Sequence, residues 1–358
     1  MINERYIADA IAVCLDRNVP FISFSLPGTR NIEFFSSPED VALPPSLVKV
    51  TLASWLNQKV DTIYNKLDAH QTLDYASYLS QKITIDDGSG EISERWTAPT
   101  IRYNYLESIR QLISGFEDSN RKCVISTVRT INFPTQIHGD FFTQKWLKLV
   151  RLQPEDFVFI FFTPSTGAWM GASPEKLFSV NRRTRTFSTM ALAGTREAQA
   201  CGPWSEKDQR EHRIVVDYIM EKLQSVGLNP NRQEQTNRRY GNITHLMTPI
   251  CGEFPSTQNF MEIVKALSPT PALAGYPLDI AASEIRLFEE HPRRMYGGYI
   301  AIESEDFADA YVNLRSMEFD STGCTIYSGG GIVDDSVAEN EWKETEMKAS
   351  TLLNLFTS

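Results

Sequence analysis

The sequence lacks the signature motifs of several common enzyme classes. No GxGxxG follows a predicted strand, and GxxxxGK[ST], HExxH and GxSxG are all missing. These absences argue against a Rossmann dinucleotide site, a P-loop, a zincin metal centre and an α/β-hydrolase nucleophile. Histidine is also sparse, and its five positions are too scattered to predict a histidine-based metal site. Any chemistry is therefore expected to use carboxylates, lysine and arginine.

Cysteine is equally sparse. The five cysteines are far apart, so neither a CxxC redox pair nor a zinc knuckle is present. An odd number of widely spaced thiols predicts a reduced, cytoplasmic protein. The N-terminal residues lack the basic and apolar regions of a signal peptide, and no apolar run approaches about 18 residues. The sequence thus predicts no membrane association.

Basic residues are fewer than acidic ones. Lys and Arg number 35 against 45 Asp and Glu, which gives a formal net charge of −10. Because phosphate backbones are bound by clustered Lys and Arg, this balance argues against a nucleic-acid partner. It leaves room for an anionic small molecule held in a local basic pocket.

The hydrophobic pattern predicts an α+β protein. Helical spacing marks residues 3–16, 101–116, 208–226, 258–267, 277–290 and 338–355. Runs rich in β-branched and aromatic residues predict strands at 20–25, 122–133, 157–163, 169–172, 186–193, 296–302, 308–319 and 324–328. A turn is expected at 86–90. Consecutive strands with short connections favour antiparallel pairing, and no linker divides the chain, so residues 1–358 are predicted to form one domain.

The predicted C-terminal helix carries charges on one face. Glu341, Glu344 and Lys348 are spaced at i, i+3 and i+7. Upstream, Ser328 and three glycines are expected at a strand-to-loop transition, where backbone N–H groups can approach a ligand closely. A β-bulge beside a solvated helix face explains the same pattern, and the residues alone leave both interpretations open.

Another predicted helix opens with acidic residues. Asp208 is a candidate N-cap, and Glu211 follows in the first turn, where a carboxylate usually just complements the helix dipole. If Glu211 met Glu344 across a cleft, the two carboxylates and several waters would form a Mg²⁺ site.

Polar residues also interrupt the predicted strands. Glu175 follows a strand and a turn, and a Gly-Thr corner ends the strand before Arg196; both are also explained by turn chemistry. Lys122 and Arg315 lie at or within apolar strands. A charged side chain facing the interior there must be paired or functional, whereas one facing solvent needs no such role.

Together these segments resemble the chorismate-utilising enzyme family, and within it the isochorismate synthases. The match covers roughly the C-terminal two-thirds of the chain, and each segment is weak alone, whereas the ordered set is specific. The segments are Lys122-Cys-Val-Ile-Ser, Gly171-Ala-Ser-Pro-Glu175, Leu192-Ala-Gly-Thr-Arg196, Glu206-Lys-Asp, Glu211-His, Pro269-Thr-Pro-Ala-Leu-Ala-Gly-Tyr-Pro277, Tyr296-Gly-Gly, Leu314-Arg-Ser316, Gly329-Gly-Gly-Ile-Val333 and Glu341-Trp-Lys-Glu-Thr345.

The resemblance implies a fold of two large, mainly antiparallel β-sheets packed together and flanked by helices. Residues 101–358 would be the family-like catalytic part and residues 1–100 a divergent N-terminal part. The resemblance also implies a monomer, because relatives are mostly monomers. No glutaminase subunit is expected, because anthranilate synthases lack a lysine where Lys122 lies. Aminodeoxychorismate synthases carry a nucleophilic lysine at the position of Ala193, so no covalent lysine intermediate is expected here.

The implied reaction converts chorismate reversibly to isochorismate, with water attacking C2 while the C4 hydroxyl departs. Lys122 would be the general base, which requires a neutral amine, and Glu175 would be the general acid, which requires a raised pKa. Glu211 and Glu344 would hold Mg²⁺, with Asp208 and Glu341 orienting its waters. Arg315 would clamp the enolpyruvyl carboxylate. The pocket would be completed by Gly194, Thr195, His245, Tyr296, Leu314, Gly329 and Lys348.

Alternatives remain within the resemblance. A salicylate synthase would form isochorismate and then eliminate pyruvate in the same site, and the pair Tyr296 and Leu314 is similar to both branches. The chain carries Ser268 where this branch often has histidine before Pro-Thr-Pro. A non-catalytic chorismate-binding subunit is a third possibility, although Lys122, Glu175, Glu211 and Glu344 are all present. The product would feed menaquinone or siderophore synthesis.

Overall fold

The computed structural model describes residues 2–42, 48–82, 98–116 and 120–357. The turn expected at 86–90 lies outside these ranges. Within them, every helix is too short or too polar to cross a bilayer.

The first of two large sheets is entirely antiparallel. Its eight strands in the described ranges lie in the spatial order β13 (Gly275–Tyr276), β5 (Lys122–Asn132), β17 (Gly323–Ile332), β16 (Ser316–Asp320), β7 (Gly167–Ser173), β6 (Phe157–Thr163), β1 (Phe21–Ser25) and β2 (Ile32–Ser36).

The second sheet is also antiparallel. Its described strands lie in the order β10 (Asn231–Arg232), β12 (Ile243–Glu253), β9 (Thr186–Glu197), β8 (Lys176–Asn181), β15 (Phe307–Val312), β14 (Tyr299–Glu303), β3 (Lys49–Ala53) and β4 (Val60–Tyr64), with β11 (Thr236–Tyr240) paired to β12. The N-terminal hundred residues therefore contribute two strands to each sheet.

Helices flank the two sheets, as the resemblance implied. Those described are α1 (Ile2–Asp16), α2 (Ala69–Lys82), α3 (Arg102–Ser114), α4 (Gly139–Leu152), α5 (Glu206–Ser225), α6 (Phe260–Leu267), α7 (Leu278–Phe288) and α8 (Ala338–Leu353). The six helices expected from periodicity are all present, with ends within about two residues of the expected ones. The spacing misses α2 and α4.

Aromatic side chains pack the two sheets against each other. Phe157 of β6 stacks on Tyr311 of β15, with ring centroids 4.2 Å apart and planes 7° from parallel. Around this contact, buried residues of both sheets form one cluster. A second cluster joins α1 and α4 to the first sheet. A third joins α5 and α6 to the second sheet and also includes residues of α3, of α7 and of β5 in the first sheet. Burial of these apolar faces holds the layers together.

The strand expected at 308–319 is wrong as a single element. β15 ends at Val312 in the second sheet, and β16 begins at Ser316 in the first, so the chain crosses between sheets here. Arg315, in the crossing, has φ of +48°, a left-handed conformation that interrupts an extended strand. Both flanking segments are apolar because both are buried, so composition could not reveal the break.

The glycine run is also placed differently from expectation. Gly329, Gly330 and Gly331 lie inside β17 and pair with Ser126, Ile125 and Val124 of β5, rather than at a strand-to-loop transition. At Gly331, buried side chains approach this strand too closely to allow a larger residue. Another expected strand, 296–302, begins only at Tyr299.

Candidate active site

A small, partly open cavity lies where the two sheets meet helices α5 and α8. It encloses about 60 Å³, room for a few waters but not for a six-membered ring with two carboxylates. The expected site residues that line it are Lys122, Glu175, Gly194, Thr195, Glu211, His245, Tyr296, Leu314, Arg315, Gly329 and Lys348. The cavity is small because long charged side chains extend into it and pair with one another.

One of these pairs joins Lys122 to Glu211. Lys122 opens β5, its side chain is 1% exposed, and its Nζ lies 2.9 Å from Glu211 Oε1. Burial alone would raise the pKa of Glu211, but the charges of Lys122 and Lys207 outweigh it and lower that pKa below the usual range. The carboxylate is therefore ionised.

Gly331 allows this pair to form. A Cβ at Gly331 would collide with Glu211 Oε1 and would lie 2.8 Å from Lys122 Cε. Both side chains are buried and cannot withdraw easily. A glycine is thus required by close approach, and its φ is not in the left-handed region.

A second pair joins two residues of α8. Lys348 Nζ lies 2.5 Å from Glu344 Oε1, one helical turn away, and also donates to the carbonyl oxygen of Gly329 at 2.8 Å. Burial raises the pKa of Glu344, whereas Lys348 and Lys207 lower it, with a net decrease. Glu344 lies just behind the cavity wall and does not line the cavity.

Glu341 lies one turn before Glu344 and is also buried. Its Oε1 accepts from Lys207 Nζ at 2.7 Å, while its Oε2 has no hydrogen-bond partner among the described residues. Burial, followed by the charge of Glu344, raises the pKa of Glu341 to about 7. A Cβ on Gly330 would lie 3.4 Å from Glu341 Oε2. The same Cβ position lies 3.8 Å from Tyr105 Oη, which is also unpartnered in the described ranges.

These carboxylates suit a divalent cation. Glu344 influences the pKa of both Glu211 and Glu341, so the three are close neighbours. Each of the three carboxylates is ion-paired with a lysine. In the described ranges, no three His, Cys, Asp or Glu side chains converge as a preformed metal site. Mg²⁺ needs only one or two carboxylates plus waters, and the unpartnered Glu341 Oε2 is a suitable acceptor for such a water. The donor set therefore fits Mg²⁺.

Arg315 is held by a histidine on the second sheet. Arg315 Nη2 lies 3.0 Å from His245 Nε2, and His245 Nδ1 lies 3.0 Å from the carbonyl oxygen of Gly194. Burial and the charge of Arg315 keep the pKa of His245 well below its usual range, so the ring is neutral. Nδ1–H then donates to Gly194, and Nε2 accepts from the guanidinium.

The same guanidinium keeps one nitrogen available. The Arg315 group lies 4.8 Å above the ring of Tyr240, yet its Nη1 is buried and has no partner in the described ranges. Buried donors are nearly always satisfied, so an unpaired one in a cavity wall marks a position for a ligand oxygen. A carboxylate is the natural acceptor for an arginine.

Glu175 faces the cavity from the connection between β7 and β8. Its side chain is buried, and burial raises the pKa of this carboxyl to about 7 against the opposing charges of Lys122 and Arg315. The direction is the one expected for a general acid. Near neutral pH the group exists in both protonation states.

Aromatic and apolar residues complete the wall. Tyr296 stacks on Tyr327 with centroids 5.4 Å apart, and its Oη lies 3.1 Å from the position of a Cβ on Gly329. Leu314 lies beside Arg315 in the crossing between sheets. A flat ring bound here would meet tyrosine and leucine on its sides and charges at its ends.

Asp208 does not cap α5, and Lys207 has a partner that the sequence did not reveal. Asp208 is the third residue of α5, and the N-cap is Ser205, whose Oγ accepts from the Asp208 N–H at 3.1 Å. A polar residue three positions before an acidic one is a capping-box pattern that could have shown this. Lys207, which pairs with Glu341, was part of the matched segment but received no role.

A sequence profile described as "Chorismate binding enzyme" matches residues 46–357. The chain therefore belongs to the chorismate-binding enzyme family, and the resemblance stated above is confirmed.

Particular relatives come from two branches of that family. Isochorismate synthase EntC of Escherichia coli (strain K12) is 32% identical over 222 residues, which cover 58% of this chain and 56% of EntC. Anthranilate synthase component 1 of Thermococcus kodakarensis is 30% identical over 223 residues, covering 58% and 50% respectively. The chain thus spans about half the length of the curated relatives it matches.

A solved structure agrees with the fold. MenF, the menaquinone-specific isochorismate synthase from Escherichia coli, superposes with a TM-score of 0.75 at 21% identity, over 97% of this chain and 91% of MenF. The expected fold of two antiparallel sheets flanked by helices is confirmed.

Proposed function

We propose that the protein is an isochorismate synthase that converts chorismate reversibly to isochorismate with Mg²⁺. The observation that carries the proposal is the shared cavity of Lys122 and Glu175, a candidate base and a candidate acid. Lys122 also exerts the largest opposing influence on the pKa of Glu175, so the two groups are electrostatically coupled. The names of the relatives support this branch of the family.

The two residues would move protons on opposite sides of the ring. In the unliganded site Lys122 is ion-paired with Glu211; once it leaves this pair and loses its proton, the neutral amine would take a proton from the water that forms the new C2–O bond. Glu175, as the carboxylic acid, gives its proton to the C4 hydroxyl as the C4–O bond breaks and water leaves. The ring double bonds shift, one water enters and one leaves, and no oxidant or reductant is needed.

The remaining residues would bind and orient the substrate. Arg315 would take one carboxylate through its unpartnered Nη1, with His245 fixing the guanidinium. Lys348 would face a second substrate oxygen, and Tyr296 and Leu314 would hold the ring. The wall that includes Gly194, Thr195 and Gly329 has small or no side chains, which limits how far the cavity must widen to admit the ligand.

Glu211 and Glu344 would hold Mg²⁺, with Glu341 and Asp208 orienting its waters. The bound cation would neutralise the ring carboxylate. Lys207 interacts electrostatically with all four acids and already balances part of their charge. Without the cation, the dianionic substrate would be repelled by the carboxylates of the site.

The proposal extends to partners. Because Lys122 would activate water rather than admit ammonia, we propose that no glutaminase subunit is required, and that the protein acts as a monomer in the cytoplasm. Salicylate formation is the second candidate, because Tyr296 and Leu314 resemble both branches. It would add pyruvate elimination after the same first step.

Isotope labelling tests the proposed chemistry. In H₂¹⁸O with Mg²⁺, the purified protein should convert chorismate to isochorismate carrying one ¹⁸O, detected by mass spectrometry at the C2 hydroxyl. Isochorismate without label would contradict water attack. Chorismate that stays unchanged would contradict the proposed activity itself.

A further inference from the structure

A second and larger cavity lies behind the wall of the candidate active site. It encloses about 460 Å³, within the range of small-molecule sites. We call it the rear cavity. Its walls include Trp55, Lys59, Arg286, Glu289, Arg293 and Met295.

The rear cavity is cationic although the protein is acidic. Arg293 is balanced by Glu289 at 2.6 Å, and Arg294, also in the wall, is balanced by Glu318 at 2.5 Å. Lys59 and Arg286 form no ion pair with any residue the structure describes. The cavity thus has two uncompensated positive charges at its rim, which favours an anionic occupant.

The rest of the lining is apolar. Trp55, Ile285, Pro292 and Met295 contribute carbon-rich surface next to the two rim cations. This combination suits a molecule with an apolar body and one charged end. Inorganic phosphate would leave the apolar surface unused.

We propose that the rear cavity binds a small organic anion, a carboxylate carried on an apolar ring, and that its occupancy alters the active site. The proposal stands apart from the identity of the reaction. It rests on the cavity, on its two uncompensated cations and on a wall shared with the candidate active site.

Arg293 forms the centre of that shared wall. Its Nη1 donates to the carbonyl oxygen of Leu273 at 2.7 Å and its Nη2 to that of Val124 at 2.6 Å. Val124 and Leu273 both line the active-site cavity. On the other side, the Arg293 guanidinium lies 4.2 Å from the ring centroid of Trp55. An occupant that moves Trp55 or Arg293 therefore moves residues beside Lys122.

Two further contacts strengthen the connection. Glu289 Oε1 accepts from the N–H of Ser126 at 2.6 Å and from its Oγ at 2.8 Å, both on the strand that begins at Lys122. The N–H of Tyr296, an active-site residue, donates to the carbonyl oxygen of Arg293 at 2.9 Å. The buried Glu289–Arg293 pair thus lines the rear cavity and also hydrogen-bonds to residues beside the active site.

Calorimetric titration of the full chain in Mg²⁺ with 2-naphthoate tests the binding. The Lys59→Ala/Arg286→Ala variant should bind about tenfold more weakly than the unaltered protein, because two charge contacts are lost. A matched variant, Arg5→Ala/Lys265→Ala, removes two exposed cations outside the wall and should bind as the unaltered protein does. Equal affinity in all three proteins, or no binding at millimolar naphthoate, would overturn the proposal.

Chorismate consumption tests the coupling. At saturating chorismate, naphthoate should change the rate of chorismate consumption by the unaltered protein. In Lys59→Ala/Arg286→Ala, about tenfold more naphthoate should be needed for the same change in rate. An unchanged rate at naphthoate concentrations that saturate the calorimetric signal would overturn the coupling. Because binding is measured as heat, a protein that leaves chorismate untouched would contradict the proposed function and not the rear cavity.

Discussion

Lys122 and Glu211 form a buried ion pair, with 2.9 Å between Nζ and Oε1, that joins the proposed general base to a proposed metal ligand. Glu344 and Lys348 repeat the arrangement at 2.5 Å. Because a carboxylate that binds Mg²⁺ shares less of its charge with a lysine, metal binding should loosen both pairs. The released lysines could then turn to the substrate, and the cavity of about 60 Å³ could widen.

The ion pairs predict competition between lysine and metal. Lys122→Met keeps the length of the side chain and removes its charge, so Mg²⁺ affinity should rise about threefold or more as Glu211 is freed. Chorismate turnover should fall by about 10²-fold or more, since the proposed base is gone. Calorimetry and product chromatography measure the two effects. Lys265→Met, on an exposed face of α6, is the control; lower Mg²⁺ affinity in Lys122→Met would refute the competition.

The pKa of Glu175 predicts the pH dependence of the forward reaction. The group gives a proton, so it works in its protonated form, and its pKa is raised to about 7 by burial. The rate should therefore fall as pH rises through about 7. Glu175→Gln should lower the rate by about 10²-fold or more and abolish this descending limb. A descending limb that persists in the variant would assign it to another group.

The same shift predicts a change in stability. Between about 4.5 and 7 the folded protein holds a proton on Glu175 that the unfolded chain has lost, so the free energy of unfolding falls as pH rises through this window. Glu175→Gln removes that contribution. Urea unfolding should show the variant gaining stability relative to the unaltered protein from pH 5 to pH 8, whereas Glu262→Gln, on the exposed side of α6, should not. An equal difference at both pH values would contradict the buried carboxyl.

Metal binding predicts a ligand-dependent stability. A cation that binds only the folded state at a hundred times its Kd adds about 2.7 kcal/mol. Mg²⁺ should thus raise the Tm of the unaltered protein, and EDTA should reverse the rise. Glu211→Gln and Glu344→Gln should lose most of the increase, while Glu262→Gln retains it. A full Mg²⁺ response in both site variants would place the ion elsewhere.

Gly331 is predicted to tolerate no side chain. In Gly331→Ala the new Cβ meets Glu211 Oε1 and Lys122 Cε, so we expect about 1–3 kcal/mol of destabilisation and at least about a tenfold loss of turnover. Gly115→Ala is the control, because the new Cβ would lie 3.5 Å from its nearest neighbour, the carbonyl oxygen of Leu112, and the φ of Gly115 is −89°. Denaturant unfolding and chorismate assays compare the two. Equal behaviour would show that the Lys122–Glu211 pair can shift at little cost.

Local patterns in the sequence predicted the helices well. Residues 206–225 and 338–353 have apolar side chains at helical spacing and polar ones opposite, so each turn carries its own signal. The crossing between β15 and β16 could not be predicted, because both strands are buried and equally apolar. Only the left-handed backbone at Arg315 marks it.

The pairing of site residues was less accessible than their identity. Ordered motifs brought Lys122, Glu175 and Arg315 to attention, and the structure gathers them in one cavity. That Lys122 pairs with Glu211, and Lys207 with Glu341, depends on how β5, α5 and α8 meet. Sequence separation carries no information on such contacts.

Product analysis with the unaltered protein tests the central claim most directly. Purified protein is incubated with chorismate and Mg²⁺, with an EDTA control, and the products are resolved by chromatography. The account predicts isochorismate in equilibrium with chorismate, no pyruvate, and no reaction in EDTA. Pyruvate with salicylate would move the assignment to the second candidate, and unchanged chorismate would contradict the catalytic roles of Lys122 and Glu175.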